Sequence, residues 1–168
     1  VSKLTVTDGF FGNEKVKIDL PGDLVKVDSK LRKVGLGALP DEGLKLLNRA
    51  AEDAVKEATP IFINAITNMS FTDAKKILLG NDSAATSYLQ HSTKADLYKS
   101  FYPVIENSLS KVGADDAWES ITSKYNKIPL VSKVNPDLKD YVTNKALAGV
   151  FKMIAIEEVK IRGGLQSR

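Results

Sequence analysis

Along most of this chain apolar residues recur at intervals of three and four, the repeat of an α-helix that buries one face. The first twenty residues do not follow that repeat. Asp8-Gly9 reads as a turn, Val16-Lys17-Ile18-Asp19-Leu20 alternates apolar and polar like a short extended segment, and Pro21 closes it. Residues 1–20 are therefore expected to form an irregular arm, and residues 21–168 one all-α domain.

From Pro21 the helical spacing is continuous, and the capping residues divide it. Leu24, Val27, Leu31 and Val34 line one face of a helix over 22–34, and Gly35-Leu36 is a helix C-terminal signature. Pro40 suits the first turn of the next helix, whose face is Leu44, Leu47, Ala51, Val55 and Ala58. Thr59-Pro60 predicts a break with Thr59 as N-cap, or a kink, before a short helix over Ile61–Asn68. Two capping boxes follow. Ser70 with Asp73 starts a helix that stops at Gly80, and Thr93 with Asp96 starts another that stops at Gly113, with a short helix over Ser83–Ser92 between them. Further helices are expected over Ala114–Tyr125 and, after a connector at Ile128–Val134, from Asn135-Pro136 to about Arg162, ended by Gly163-Gly164.

That last helix differs from the others. From Ala146 to Ile156 apolar side chains cover nearly the whole circumference, as in a helix central to a bundle. One narrow stripe is polar, formed by Tyr141, Lys145 and Lys152. The fold class that follows is an irregular multi-helix all-α bundle with a long apolar C-terminal helix.

Composition narrows the chemistry. There is no Cys and one His, His91, so the residues that supply most nucleophiles and transition-metal ligands are nearly absent. The 24 basic and 21 acidic residues are interspersed and leave a net charge of +3, which lacks the concentrated basic face of a nucleic-acid binder. No apolar run approaches the roughly 18 residues of a membrane span. Val1 in place of Met predicts a processed N-terminus.

Five stretches together resemble the bacterial family catalogued as domain of unknown function 4197. They are Asp8 to Asn13 followed by Val16-Lys17-Ile18; Asn48 to Glu52; Met69 to Gly80; Ala84-Ala85-Thr86 with Tyr88 and Thr93; and Asp140-Tyr141-Val142 through Lys145, Phe151 and Glu157-Glu158 to Ile161-Arg162. Glu14 and Asp19 stand where the family pattern often has proline, which bears only on the shape of the arm. The resemblance implies a helical protein that begins with an export signal, hence a periplasmic or cell-envelope location with the signal peptide removed. It carries no activity and no site residues.

Each polar cluster has a structural reading beside a functional one. Asn48, at the edge of its apolar face, either offers a contact to a ligand or bonds neighbouring backbone, with Glu52 paired to Lys56. Tyr141, Lys145 and Lys152 either bind an anionic head group or form a solvated edge. Glu157 and Glu158 diverge by about 100° and cannot share one substrate atom, and a di-metal bundle site would need Glu-x-x-His pairs that the chain lacks. His91 reads as a surface histidine. Gly35-Leu36-Gly37 follows a helix and is no dinucleotide fingerprint. The basic side of the helix over 22–34, with Lys26, Lys30, Arg32 and Lys33, suits either water or an anionic membrane.

The function expected is a non-enzymatic binding protein for an apolar or amphipathic small molecule, a lipid or fatty acid. Its expected ligand-binding residues are Asn48, Phe62, Phe101, Tyr141, Lys145, Phe151 and Ile154, with no cofactor, no metal and no catalytic residue. The alternative is an interaction module without a cavity, docking a partner protein, a second copy or a membrane surface. An enzyme using Glu52 and Asp73 as acid and base is a third reading.

Overall fold

A computed structural model describes residues 1–20, 38–111 and 113–166. Among these residues it has six α-helices and no strand: α1 (Ala38–Val55), α2 (Ala58–Thr67), α3 (Phe71–Leu78), α4 (Ala84–Ser110), α5 (Ala114–Tyr125) and α6 (Leu138–Gln166). The architecture is an all-α helical bundle, as the apolar periodicity requires. The helix expected over 22–34 lies outside the described residues.

The core is built on α4 and α6, which pack antiparallel: Tyr98 meets Asp140 at one end and Thr86 meets Glu158 at the other. Leu97, Phe101, Ile105 and Leu109 of α4 are fully buried, at the four-residue spacing of a single helix stripe. Val142, Ala146, Leu147 and Val150 form the buried face of α6, and Leu47, Ala51, Ala54 and Val55 that of α1, which packs on both. α2 closes one side, with the Phe62 and Phe151 rings edge to face, their centroids 6.2 Å apart. α5 closes the other end, where Trp118 stacks on Tyr141 at 5.5 Å and its indole N–H donates to the Asn135 carbonyl. Along α6 only the stripe with Asn144, Lys145, Ala148 and Lys152 is open to water over residues 142–152, so the all-round apolar pattern does mark a central helix.

Several boundaries differ from the sequence pattern. α1 stops at Val55 and α2 starts at Ala58, so the break precedes Thr59; Glu57, not Thr59, is the N-cap, and Pro60 sits in the first turn, where its missing N–H costs nothing. Ser70 does cap α3, accepting the Asp73 N–H at 3.1 Å. The second capping box does not form. α4 runs unbroken through 27 residues, and Thr93 is buried in mid-helix with its hydroxyl donated to the Leu89 carbonyl. Pro103 also lies inside α4, and the stripe of buried side chains on either side keeps the helix continuous across the lost N–H bond. Asp137, two residues past Asn135, caps α6 by accepting the Asp140 N–H. α6 does not stop at Gly163-Gly164 but continues to Gln166.

The arm, residues 1–20, has turns but neither helix nor strand, yet it is tightly bound. Leu4, Phe10, Val16 and Ile18 are buried, filling the groove between α1 and α6. Two glycines make this approach possible. A Cβ on Gly9 would lie 2.5 Å from the Leu4 carbonyl oxygen, inside the arm's own turn, and one on Gly149 of α6 would lie 2.8 Å from the Phe10 ring.

These contacts set opposite expectations for two glycines of one helix. Gly149→Ala forces the buried Phe10 ring aside and is expected to lower stability by about 1–3 kcal/mol. Gly163→Ala meets open space and is expected to raise it by up to about 1 kcal/mol, because the position is helical. Urea denaturation of both variants checks the pair; a loss at Gly163 would mean that the helix ends there.

Candidate functional site

Three carboxylates on α1 and α6 organise the polar interior. Glu158 is the most constrained. α4 opens at Ala84 with Ser83 before it, and Ser83 makes no side-chain cap, so the first N–H groups of α4 need another acceptor. Glu158 provides it from across the bundle. It accepts the Ala85 N–H at 2.9 Å, the Thr86 N–H at 2.8 Å and the Thr86 hydroxyl at 2.7 Å. One turn on, Arg162 donates to the same carboxylate at 2.9 Å through Nε and to the Ile77 carbonyl at 2.8 Å through Nη2. Burial pushes the Glu158 carboxyl up, but the bonds from Ala85, Thr86 and Arg162 outweigh it and hold it at about 2.

Glu52 does for the arm what Glu158 does for α4. It is buried, and accepts the Phe10 N–H at 3.0 Å and the Phe11 N–H at 3.3 Å. Its partner is Arg49, at 2.6 Å, which also reaches Asp8 at 2.7 Å. The expected Glu52–Lys56 pair is absent: Lys56 pairs with Asp53, because Glu52 turns inward. Asp140 ties the far end of α6 to α4, accepting the Tyr98 hydroxyl at 2.5 Å.

An opening in the fold lies beside Glu158. A cleft of about 560 Å³ runs between the N-terminal turn, α3 and the C-terminal half of α6. Leu4, Val150, Met153 and Ile154 are among the residues that make it mainly apolar, with Ile77 and Ile161 from α3 and α6. Ions border it: Lys3 pairs with Glu157 at 2.9 Å, and Lys160 holds the same Glu157 at 3.1 Å. The hydrogen bonds from Lys3 and Lys160 lower the Glu157 carboxyl below its ordinary range. A second depression, beside His91 and Lys94, is lined by residues of α4 alone and has no opposing wall.

The seven residues expected to bind a ligand are not brought together. Asn48 is fully buried and its amide is occupied: it accepts the Ile18 N–H at 2.8 Å and donates to the carbonyls of Ile18 and Leu44 at 2.9 and 2.7 Å. Phe101 is sealed in the core, and Phe62 and Phe151 pack on each other. Tyr141 donates its hydroxyl to the Asp19 carbonyl at 2.6 Å, and its burial raises that hydroxyl to about 12. Lys145 stands over the Tyr141 ring at 5.7 Å. Only Ile154 lines the cleft. Lys3, Met153 and Arg162 were missed; the one signal for them was the i,i+4 spacing of Glu158 and Arg162.

The fold and site define a helical protein whose buried acids bond backbone and whose cleft is walled by apolar side chains. Among the described residues no group of three or more acids and histidines is placed to hold a metal, and no helix is long and apolar enough to cross a membrane. The chain belongs to the family described as "Protein of unknown function (DUF4197)", whose profile matches residues 1–168, the whole chain. No curated protein and no solved structure matches it.

The lowered Glu158 carboxyl has a definite consequence for acid stability. Its folded value, about 2, lies below the ordinary 4.5, so its contribution is complete above the ordinary value and is lost as pH falls from there toward 2. Glu158→Gln is expected to cost about 2–3 kcal/mol at neutral pH, a penalty that shrinks toward zero near pH 2. Urea midpoints of both proteins between pH 7 and about 2 check this. A penalty independent of pH would remove the ionised carboxylate from the account.

Proposed function

We propose that this protein is a non-enzymatic binding protein for an amphipathic small molecule, a lipid or fatty acid, held in the cleft between the N-terminal turn, α3 and α6. The observation that carries the reading is the pairing of mainly apolar walls with an exchangeable ionic rim. Lys3 is two-thirds exposed and shares Glu157 with Lys160. It can therefore turn to a ligand carboxylate or phosphate while Glu157 keeps a cation. The chain's lack of Cys and its single, exposed His91 agree with binding rather than covalent chemistry. The resemblance to exported proteins supports a periplasmic or envelope location, where such a carrier would meet lipid.

The cleft takes the place of the seven-residue set as the proposed site, because Phe62 and Phe151 pack on each other, Phe101 is buried in the core, and Asn48 and Tyr141 bond backbone. Native mass spectrometry before and after organic extraction is expected to reveal a bound lipid that extraction removes. Titration of the extracted protein with a fluorescent fatty acid is expected to saturate near one equivalent. Ile154→Trp, which fills the cleft, is expected to weaken uptake about tenfold or more, about 1.4 kcal/mol. No saturable uptake by the extracted wild type would end this reading.

A further inference from the structure

α3 is a helix with no buried residue. Eight residues are too few to hold a helix in water by propensity, so its shape comes from its ends and from its contact with α4. Ser70 caps the first turn, and Arg162 grips the Ile77 carbonyl at the last. What this anchored helix presents outward is apolar: Phe71 is 87% exposed, Leu78 78% and Leu79 77%. Placing residues about 100° apart, Leu78, Phe71, Lys75 and Leu79 share an arc of about 100°, with Lys76 beside it. The helix's acid, Asp73, falls on the opposite side, where it bonds Ser70. The outer face of α2, three residues before α3, adds Ile63 and Ile66, both more than half exposed.

We propose that α3, with the outer face of α2, is a docking surface for a bilayer containing anionic phospholipid. The charge argues for an anionic partner. Lys75 and Lys76 are exposed, and among the described residues neither makes an ion pair. The form argues for lipid over protein. Phe71 and Leu79 project largely free of their own fold with Lys75 between them, and Leu78 stands where this face meets the cleft. A protein partner would need a preformed pocket for each, whereas a fluid interface closes around projecting apolar groups while lysine stems reach back to the phosphates. Leu78 is shared with the wall of the cleft, but Phe71, Lys75, Lys76 and Leu79 do not line it, so the docking surface stands whether or not the cleft holds lipid.

Co-sedimentation with vesicles tests it, using phosphatidylcholine alone and phosphatidylcholine with phosphatidylglycerol in equal parts. The protein is expected to bind the anionic vesicles more tightly and to lose that preference in high salt. The double variant Phe71→Ser/Leu79→Ser, which removes no buried side chain, is expected to bind at least about tenfold more weakly with its helical circular dichroism unchanged. Lys75→Glu/Lys76→Glu is expected to bind anionic vesicles at least about tenfold more weakly, and Lys124→Glu on α5 to bind like wild type. Ile154→Trp, blocked in the cleft, is expected to keep vesicle binding, which separates this result from fatty-acid uptake. Wild type that stays in the supernatant with every vesicle, or both double variants binding as wild type does, would overturn the proposal. So would a wild-type dimer in sedimentation velocity that the Phe71→Ser/Leu79→Ser variant dissolves, since a second copy would then own the surface.

Discussion

A carboxylate buried at the start of a helix fixes the relation of three elements in this protein. Glu158 belongs to α6, yet the N–H groups it accepts belong to the first turn of α4, and its arginine partner holds the last turn of α3. An ionised group out of water is costly unless its lone pairs are filled. Here five hydrogen bonds, counting both contacts of Thr86 and those of Arg162, converge on one acid and its partner. Removing α4 would leave a buried charge, and removing α6 would leave an open helix end. The cleft beside it is bounded by this junction, with Arg162 of α6 bonded to the Ile77 carbonyl of α3 and α3 also resting on α4.

The same device recurs with different partners. Glu52 and Arg49 hold the backbone of the arm at Phe10 and Phe11 as Glu158 and Arg162 hold the start of α4. Asn48 extends it by pairing with both backbone groups of Ile18, in the manner of a neighbouring strand. A segment without helix or strand has unmet N–H and C=O groups along its length, and it can be buried only where side chains meet them. Asn48 and Glu52 perform that role on one side of the groove and Tyr141 on the other. This explains why polar residues occupy the edge of an apolar helix face. It also means that their hydrogen-bonding groups are occupied within the fold.

The contrast between the two ends of α6 bears on function. Over residues 138–151 all but one stripe of the helix is covered by α1, α4, α5 and the arm, with Val142, Ala146 and Leu147 sealed away. Beyond Phe151 its cover thins, and Met153 and Ile154 are only partly buried. The cleft, its ionic rim and the exposed face of α3 all gather at this thinner end. Apolar surface left unburied there is what a binding protein would need to keep available.

How much of this was legible in the residues depended on how local the cause was. Helix periodicity, the Ser70 cap and the solvent stripe of Lys145 and Lys152 all follow from neighbours within one or two turns, and each stands in the structure as the pattern implies. Thr93 with Asp96 has the same local signature as Ser70 with Asp73, yet burial of Leu97 and Phe101 on a common stripe with Thr93 carried the helix straight through it. Gly163-Gly164 likewise reads as a stop, but Arg162 and Glu158 hold the preceding turn and the helix passes on to Gln166. The site was still less legible. Glu158 meets Ala85 and Thr86 across more than seventy residues, and Lys3 meets Glu157 across 154. Periodicity along one chain determines which face of a helix is apolar. Only the packing of one helix on another decides which acid finds which N–H group, and where the apolar faces fail to close.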